Sequence, residues 1–209
     1  SVISQTYSHV EYIIVDGASK DKSLYITDRY KNHIAQVVSE PDKGLYGAMN
    51  KGIRLATGDY LCFLNAGASF HEDDTLQQMV HTLTGSELPD VLYGEKALVD
   101  KEGHFVRMRR LSAPETLTWK SFKQGMLVCH QAFFAKRALA EPYNLSADAT
   151  QYSSHDKRLS GRGYDYPEPG SLAQGALPHH GATLRLDKHR SLSCLVRTEG
   201  GTEKIISTV

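Results

Sequence analysis

The sequence predicts an α/β protein with a mostly parallel sheet and helices on both of its faces, and three stretches carry that prediction. Residues 10–15 are a β-branched run closed by the turn-forming Asp16-Gly17-Ala18-Ser19. Residues 45–57 repeat Leu45, Ala48, Met49, Gly52, Ile53 and Ala56 at helical spacing. Residues 59–65 (DYLCFLN) are a short, nearly continuous apolar run, which suits a strand buried on both faces.

Taken in order, residues 1–7 read as the last turns of a helix, and the strand at 10–15 follows. A helix is expected from about Asp21 to Lys31, with Asp21 where a helix N-terminus favours an acid. Residues 34–39 read as the next strand, which Pro41 stops. The helix at 45–57 has a narrow face of small side chains, so its axis can approach a sheet closely. Gly58 then stands where a left-handed C-terminal residue ends such a helix. After the strand at 59–65, Asn65-Ala66-Gly67-Ala68 lies at a strand's carboxyl end, the edge where open α/β sheets bind ligands. Residues 72–84 predict an amphipathic helix, and 91–100 and 104–110 predict strands joined by a turn at Lys101-Glu102-Gly103. Arg107, Arg109 and Arg110 cluster near that second strand, either as a solvated strand edge or as contacts to a phosphate or acidic acceptor. Pro114 to Phe122 suggests a short helix, and Val128 to Phe134 a strand holding His130. From Gln151 onward Ser, Gly, Pro, His and Arg alternate with few apolar residues at either period. That tail is expected to lack a core of its own.

The 209 residues are 40% hydrophobic, enough for one sizeable core. Lysine plus arginine equals aspartate plus glutamate at 24 each, so no global field favours nucleic acid or anionic lipid. Cys62, Cys129 and Cys194 have no metal-type spacing, and His155, His179, His180 and His189 fit no common site. No apolar run reaches the roughly 20 residues that span a bilayer. A soluble chain in a reducing cytosol is expected.

Several separated motifs resemble the family 2 glycosyltransferases, whose fold is called GT-A. They are Tyr12 to Asp21 (YIIVDGASKD), Glu40-Pro41-Asp42-Lys43-Gly44, Ala48-Met49-Asn50-Lys51-Gly52, Ala56-Thr57-Gly58-Asp59-Tyr60 followed by Phe63-Leu64-Asn65, and Val128-Cys129-His130-Gln131-Ala132-Phe133-Phe134. The resemblance implies a GT-A-like domain over 1–148, N-terminally truncated by a strand and most of a helix, with an atypical, poorly ordered segment at 149–209. A missing first strand would leave an apolar sheet edge open.

The resemblance also implies an inverting transfer of a sugar from a nucleotide-sugar, of UDP type, to a glycan or lipid-linked acceptor. The setting it implies is cytoplasmic, with peripheral association at the inner face of the membrane and no nucleic-acid partner. Asp16 would receive the uracil, with Ser19 also in the nucleotide site, although Asp16 equally reads as the acceptor of an Asx-turn. Asp42, Lys43, Asn50, Lys51 and Asn65 would line the nucleotide site, with the diphosphate at a helix N-terminus. Lys51 and Arg54 read equally as a solvated helix face, whereas Asn50 carries a helix-propensity cost and needs a reason to be there. Asp148, in Ser146-Ala147-Asp148, would be the base, and His130 would be either a core histidine or a group facing the acceptor or leaving group. The family expectation includes Mg²⁺ or Mn²⁺, but Ala68 stands at the aspartate position and a methyl cannot ligate a hard cation. Gly47 likewise stands where relatives carry aspartate. No metal ligand is therefore expected, and two further readings stand beside the enzyme: a nucleotide-sugar-binding pseudoenzyme and an inactive fragment.

Overall fold

The structure is a computed structural model that describes residues 1–42, 44–83, 88–118, 121 and 127–140, and the backbone strands 186–197 and 205–208. The elements are β1 (Tyr12–Asp16), α1 (Ser23–Arg29), β2 (Gln36–Ser39), α2 (Leu45–Leu55), β3 (Tyr60–Asn65), β4 (Ala68–Phe70), α3 (Thr75–Thr82), β5 (Val91–Val99), β6 (Phe105–Met108), β7 (Phe133–Lys136), β8 (Leu186–Arg197) and β9 (Ile205–Thr208). They make an α/β fold. Its strands run β2-β1-β9-β3-β7-β5-β8-β4, with β6 on β5.

Strand β3 is shared by two groups. Its residues Cys62–Asn65 pair with β9, whereas Tyr60 and Leu61 pair with β7 on the other side. In the first group β1 and β2 are parallel neighbours, as expected, but β1 and β3 are not adjacent. Strand β9 lies antiparallel between them, so the edge expected to stand open is occupied. In the second group β5 is antiparallel to β7 and β6 and parallel to β8.

The side-chain period of 2 along β3 places α2 and α3 on opposite faces. Leu61 packs with Ile13, Val15, Ala48 and Ala56, and Phe63 with Tyr46 and Met49, all against α2. Cys62 and Leu64 pack with Leu76, Met79, Phe70 and Phe134 on the α3 side. A side chain buried as completely as Ile13 or Met49 contributes about 1.5–3 kcal/mol of transfer free energy. Along β5, Leu92 joins the α3 side while Val91 and Tyr93 face Leu117, Val128 and Phe133.

Four local expectations are corrected. Residues 1–7 are not helical: Val2 is buried, and Thr6 N–H donates to Asp73 O at 2.7 Å while Gln5 Oε1 accepts from Leu76 N–H at 2.9 Å. This docks the segment on the start of α3, which has no side-chain N-cap of its own. Helix α2 ends without a left-handed glycine: Ala56 turns out in extended conformation. The Glu11 carboxylate instead accepts from Thr57 N–H at 2.7 Å, Gly58 N–H at 3.1 Å and the Thr57 hydroxyl at 3.0 Å. His130 is not in a strand but in a 3₁₀ turn, His130–Ala132, and β7 begins at Phe133. Of the helix expected at 114–122, residues 114–118 are non-helical and part of the rest lies outside the described residues.

The segment 149–209 contributes strands of twelve and four residues to the sheet, where at most short strands were expected. Its remaining residues, and His155, His179 and His180 among them, lie outside those described. Among the described residues no helix is long and apolar enough to cross a membrane.

Candidate functional site

The carboxyl ends of β1 and β3 lie on one edge of the sheet. Ile14 and Leu64 share a row through Ile206, so Asp16 and Asn65 project beyond that row on the same side. They are two strand spacings apart, about 10 Å. The motif-derived pair therefore shares an edge.

Asp16 is buried, and its carboxylate accepts hydrogen bonds from its own turn and from β2. Oδ2 accepts from Ser19 N–H and from the Ser39 hydroxyl, each at 2.8 Å, and Oδ1 accepts from the Ser19 hydroxyl. This is the Asx-turn reading made real, with Ser39 added because it is the register partner of Asp16 in β2. The turn holds Ala18 at φ 61°, a left-handed backbone that costs a residue with a Cβ about 1–2 kcal/mol. Such strain persists only where surrounding contacts enforce it, and here the Asp16–Ser19 bonds do so.

Asp42 is packed against this turn. A Cβ built on Gly17 would lie 3.0 Å from Asp42 Oδ2, so glycine permits the two loops to touch. Asp42 Oδ1 accepts from Gly44 N–H at 2.8 Å, and Gly44, at φ 85°, opens α2. The loop that opens α2 thereby lies against the turn that follows β1. Asn50 is buried on α2, and Gly47 is buried one turn before it. Lys51 is engaged locally: Nζ is 3.0 Å from Glu40 Oε1 and donates to Pro41 O at 3.3 Å, tying α2 to the end of β2. Lys43 and Asp148 lie outside the described residues.

On the β3 side, His130 Nε2 is 3.4 Å from Asn65 Oδ1, and both residues are buried. An amide oxygen only accepts, so the neutral ring carries its hydrogen on Nε2. Burial first, then the charges of Lys96 and Arg109, push the His130 pKa down to about 4. Lys96 is buried on β5, and Arg109 donates to Leu127 O at 3.0 Å while its backbone N–H bonds Lys96 O at 2.9 Å. The structure thus brings His130 to Asn65 and adds two cations, Lys96 and Arg109, that no motif or spacing joins to them. Ser39 was also missed, although a serine ending a strand in register with Asp16 is a visible signal.

The expectation of a lost metal position is overturned. Asp100, Glu102 and His104 each offer a ligand atom, and these atoms all lie within 4.8 Å of one another on the turn between β5 and β6. Two carboxylate oxygens and an imidazole nitrogen fit a divalent ion such as Mn²⁺. Asp100 Oδ1 accepts from His104 N–H at 2.7 Å, which with the His104 ring holds its carboxyl below the usual range. Ala68 begins β4, paired with Val196, so the absence of a carboxylate there removes one position and not the capacity of the chain. The doubt about activity that rested on Ala68 falls with it. The signal was legible as Asp-x-Glu-x-His across a hairpin turn.

Comparisons with known proteins agree with this architecture. The family description "Glycosyl transferase family 2" matches residues 1–142. A PGL/p-HBAD biosynthesis glycosyltransferase of Mycobacterium bovis is 34% identical over 151 residues, covering 69% of this chain and 56% of the relative. The amylovoran biosynthesis glycosyltransferase AmsB of Erwinia amylovora is 33% identical over 115 residues, covering 51% and 38%. Among solved structures, S. aureus TarS 1-349 in complex with UDP-GlcNAc superposes with a TM-score of 0.60 at 15% identity, over 95% of this chain and 53% of that one. The chain spans about half the length of the mycobacterial relative and of TarS 1-349, and 38% of AmsB. Since the match runs from residue 1 through β7, across every described element that forms the Asp16–Asn65 edge except β9, the chain belongs to glycosyl transferase family 2.

Proposed function

We propose that the edge formed by β1, β3 and the N-terminus of α2 binds a nucleotide-sugar of UDP type on a GT-A sheet, and that the chain transfers the sugar with inversion to a glycan or lipid-linked acceptor. One observation carries this reading: Asp16 and Asn65 end parallel-running strands on one sheet edge, with the loop that opens α2 folded against the turn of Asp16. TarS, a fold relative solved with UDP-GlcNAc, supports the donor class. Residues 1–148 form the transferase domain in this reading, with 149–209 attached to it, and the work is done at the cytoplasmic face of a membrane.

Asp16, fixed by Ser19 and Ser39, presents a carboxylate to the uracil ring N–H. The first turn of α2 faces the diphosphate with backbone N–H groups, and Asp42 shapes that turn through Gly44. Lys43 adds charge there, and Lys51 holds the loop by its bond to Pro41 O. Asn50 supplies a buried amide on the same helix. His130, neutral at pH 7, donates to Asn65 and orients its amide toward the leaving group. Asp148 takes the proton from the acceptor hydroxyl as it attacks the anomeric carbon in line. A divalent ion would be held by Asp100, Glu102 and His104, where it supplies positive charge opposing an anionic group.

Calorimetry with UDP and UDP-sugars, with manganese and with EDTA, followed by a turnover assay on the same preparation, tests the reading. Saturable UDP binding that Asp16→Ala weakens is expected. Absence of UDP binding by a folded chain would sink it.

A further inference from the structure

We propose that Arg109 is a positioning residue of the candidate site, a side chain that holds the turn carrying His130 so that the ring meets Asn65. Arg109 stands just beyond β6 and is half-buried, whereas residues 101–108 and 110–112 are all exposed. Its backbone N–H donates to Lys96 O at 2.9 Å, which continues the β5–β6 pairing by one residue. Further on, Ala113 N–H donates to both oxygens of the Glu95 carboxylate, at 3.1 and 3.2 Å. The segment that carries the guanidinium is thus tied to β5 at each end. From it Arg109 Nη1 donates to Leu127 O at 3.0 Å and reaches Leu111 O at 3.4 Å.

Leu127 leads through buried Val128 and Cys129 into the 3₁₀ turn His130–Ala132. After that turn the chain is set by β7, whose pairing with β5 starts at Phe133. Before it, Arg109 holds Leu127 O, so the turn is fixed on both sides. The His130 Nε2–Asn65 Oδ1 contact is 3.4 Å, and an outward shift of about 0.5 Å would break it. A lysine would not do the same work, because an ammonium is a point donor whereas the guanidinium is a planar fork that stays charged at every pH. Burial first, then the charges of Lys96 and Arg109, keep the ring neutral, so one side chain serves both the place and the protonation of His130. The bearing of Arg109 on UDP rests on reading the Asp16–Asn65 edge as the nucleotide site; the placement of the ring does not.

Calorimetry with UDP and ring-nitrogen NMR of His130, assigned through His130→Gln, test it on the full chain. Arg109→Lys keeps the charge and loses the fork: UDP should bind about fivefold more weakly, while the ring stays neutral at pH 7 and its Nε2–H exchanges faster. Arg109→Gln loses the charge as well, so the ring should take its proton at a higher pH than in the wild type. Added to His130→Gln, Arg109→Lys should cost no further UDP affinity, since both act on one contact. Arg110→Lys, at the exposed neighbour, should change none of these. The proposal is overturned if Arg109→Lys lowers the melting temperature but leaves either UDP affinity or the ring signals as in the wild type, if its loss adds to that of His130→Gln, or if Arg110→Lys loses as much. Should Arg109→Lys fail to fold, Glu95→Gln takes its place, because it weakens the anchor at Ala113 without touching Arg109, and unmoved ring signals there overturn the proposal too. A wild type that binds no UDP sinks the nucleotide reading, and the ring signals alone then decide the role of Arg109.

Discussion

The two groups of strands that meet at β3 are built in opposite ways. In the β2-β1-β9-β3 group, three of four strands and the helices between them follow one another along residues 12–65, and the strands run parallel. In the β3-β7-β5-β8-β4 group, neighbours come from residues 60–61, 91–99, 133–136 and 186–197, mostly antiparallel. The first group is local in sequence and holds its polar residues by hydrogen bonds within short loops, as at Asp16–Ser19–Ser39. The second buries charged or titratable groups, Lys96 and His130, among partners distant in sequence. Local construction yields a site legible from motifs, and non-local construction yields one that only the fold assembles.

The largest expected effects ask whether the halves fold as one. Ile13→Ala in the first and Leu92→Ala in the second should each cost about 2–5 kcal/mol, because both side chains are almost fully buried. A single cooperative denaturant transition that shifts in both variants means one unit. Two transitions, each moved by one variant only, would separate the halves.

Acid should strike the second half first. His130 keeps a neutral ring in the fold down to about pH 4, whereas in the unfolded chain it takes a proton near 6.5. Its contribution to stability is therefore intact above the unfolded value and is lost as pH falls between the two, a loss of about 3 kcal/mol. His130→Gln should flatten thermal stability across that window. In the first half, burial raises the Glu11 pKa but the Thr57 and Gly58 hydrogen bonds and Arg137 lower it more, leaving it below its usual value. The stabilisation from Glu11 is present above the unfolded carboxyl value and disappears as pH falls through the lowered one. Glu11→Gln should leave the slope between about pH 5 and 6.5 unchanged and remove only the more acid one.

Smaller effects separate binding from folding. Asp16→Ala should weaken UDP binding about 10- to 100-fold, the range of a charged hydrogen bond, as measured by titration calorimetry. His130→Gln should weaken it less if the ring acts through Asn65. Ala18→Gly should raise stability by about 1 kcal/mol, by relieving the left-handed backbone, and leave UDP affinity unchanged.

The same contrast explains what could be read in advance. The strands at 12–16, 36–39 and 60–65 and the helix at 45–55 were legible to within two residues, because apolar period and turn chemistry act locally. The end of α2 was not: Gly58 looked like its cap, yet the cap is a carboxylate 46 residues away in sequence, Glu11 to Thr57. His130 was read as a strand residue because Val128 to Phe134 is apolar, but buried His130 and Gln131 sit in a turn between two packed faces. Lys51 read equally as a cation of the nucleotide site and as a solvated helix face, and its ion pair with Glu40 follows from the loop doubling back. The metal-competent trio was overlooked because attention fell on Ala68, whereas a hairpin turn can gather alternate residues by itself. The division at 148/149 rested on the loss of periodicity, which says nothing about pairing with distant strands.

Strand β9 imposes an order of events. Its residues 205–208 must be in hand before β1 and β3 can be joined, across a separation of roughly 190 residues from β1, and long-range closure of this kind is entropically slow. The motifs of the candidate site are complete in sequence by residue 65, but the sheet edge that carries them is joined only by backbone from the far end of the chain. During synthesis at the ribosome, Asp16 and Asn65 would thus emerge early and be set in their final spacing late.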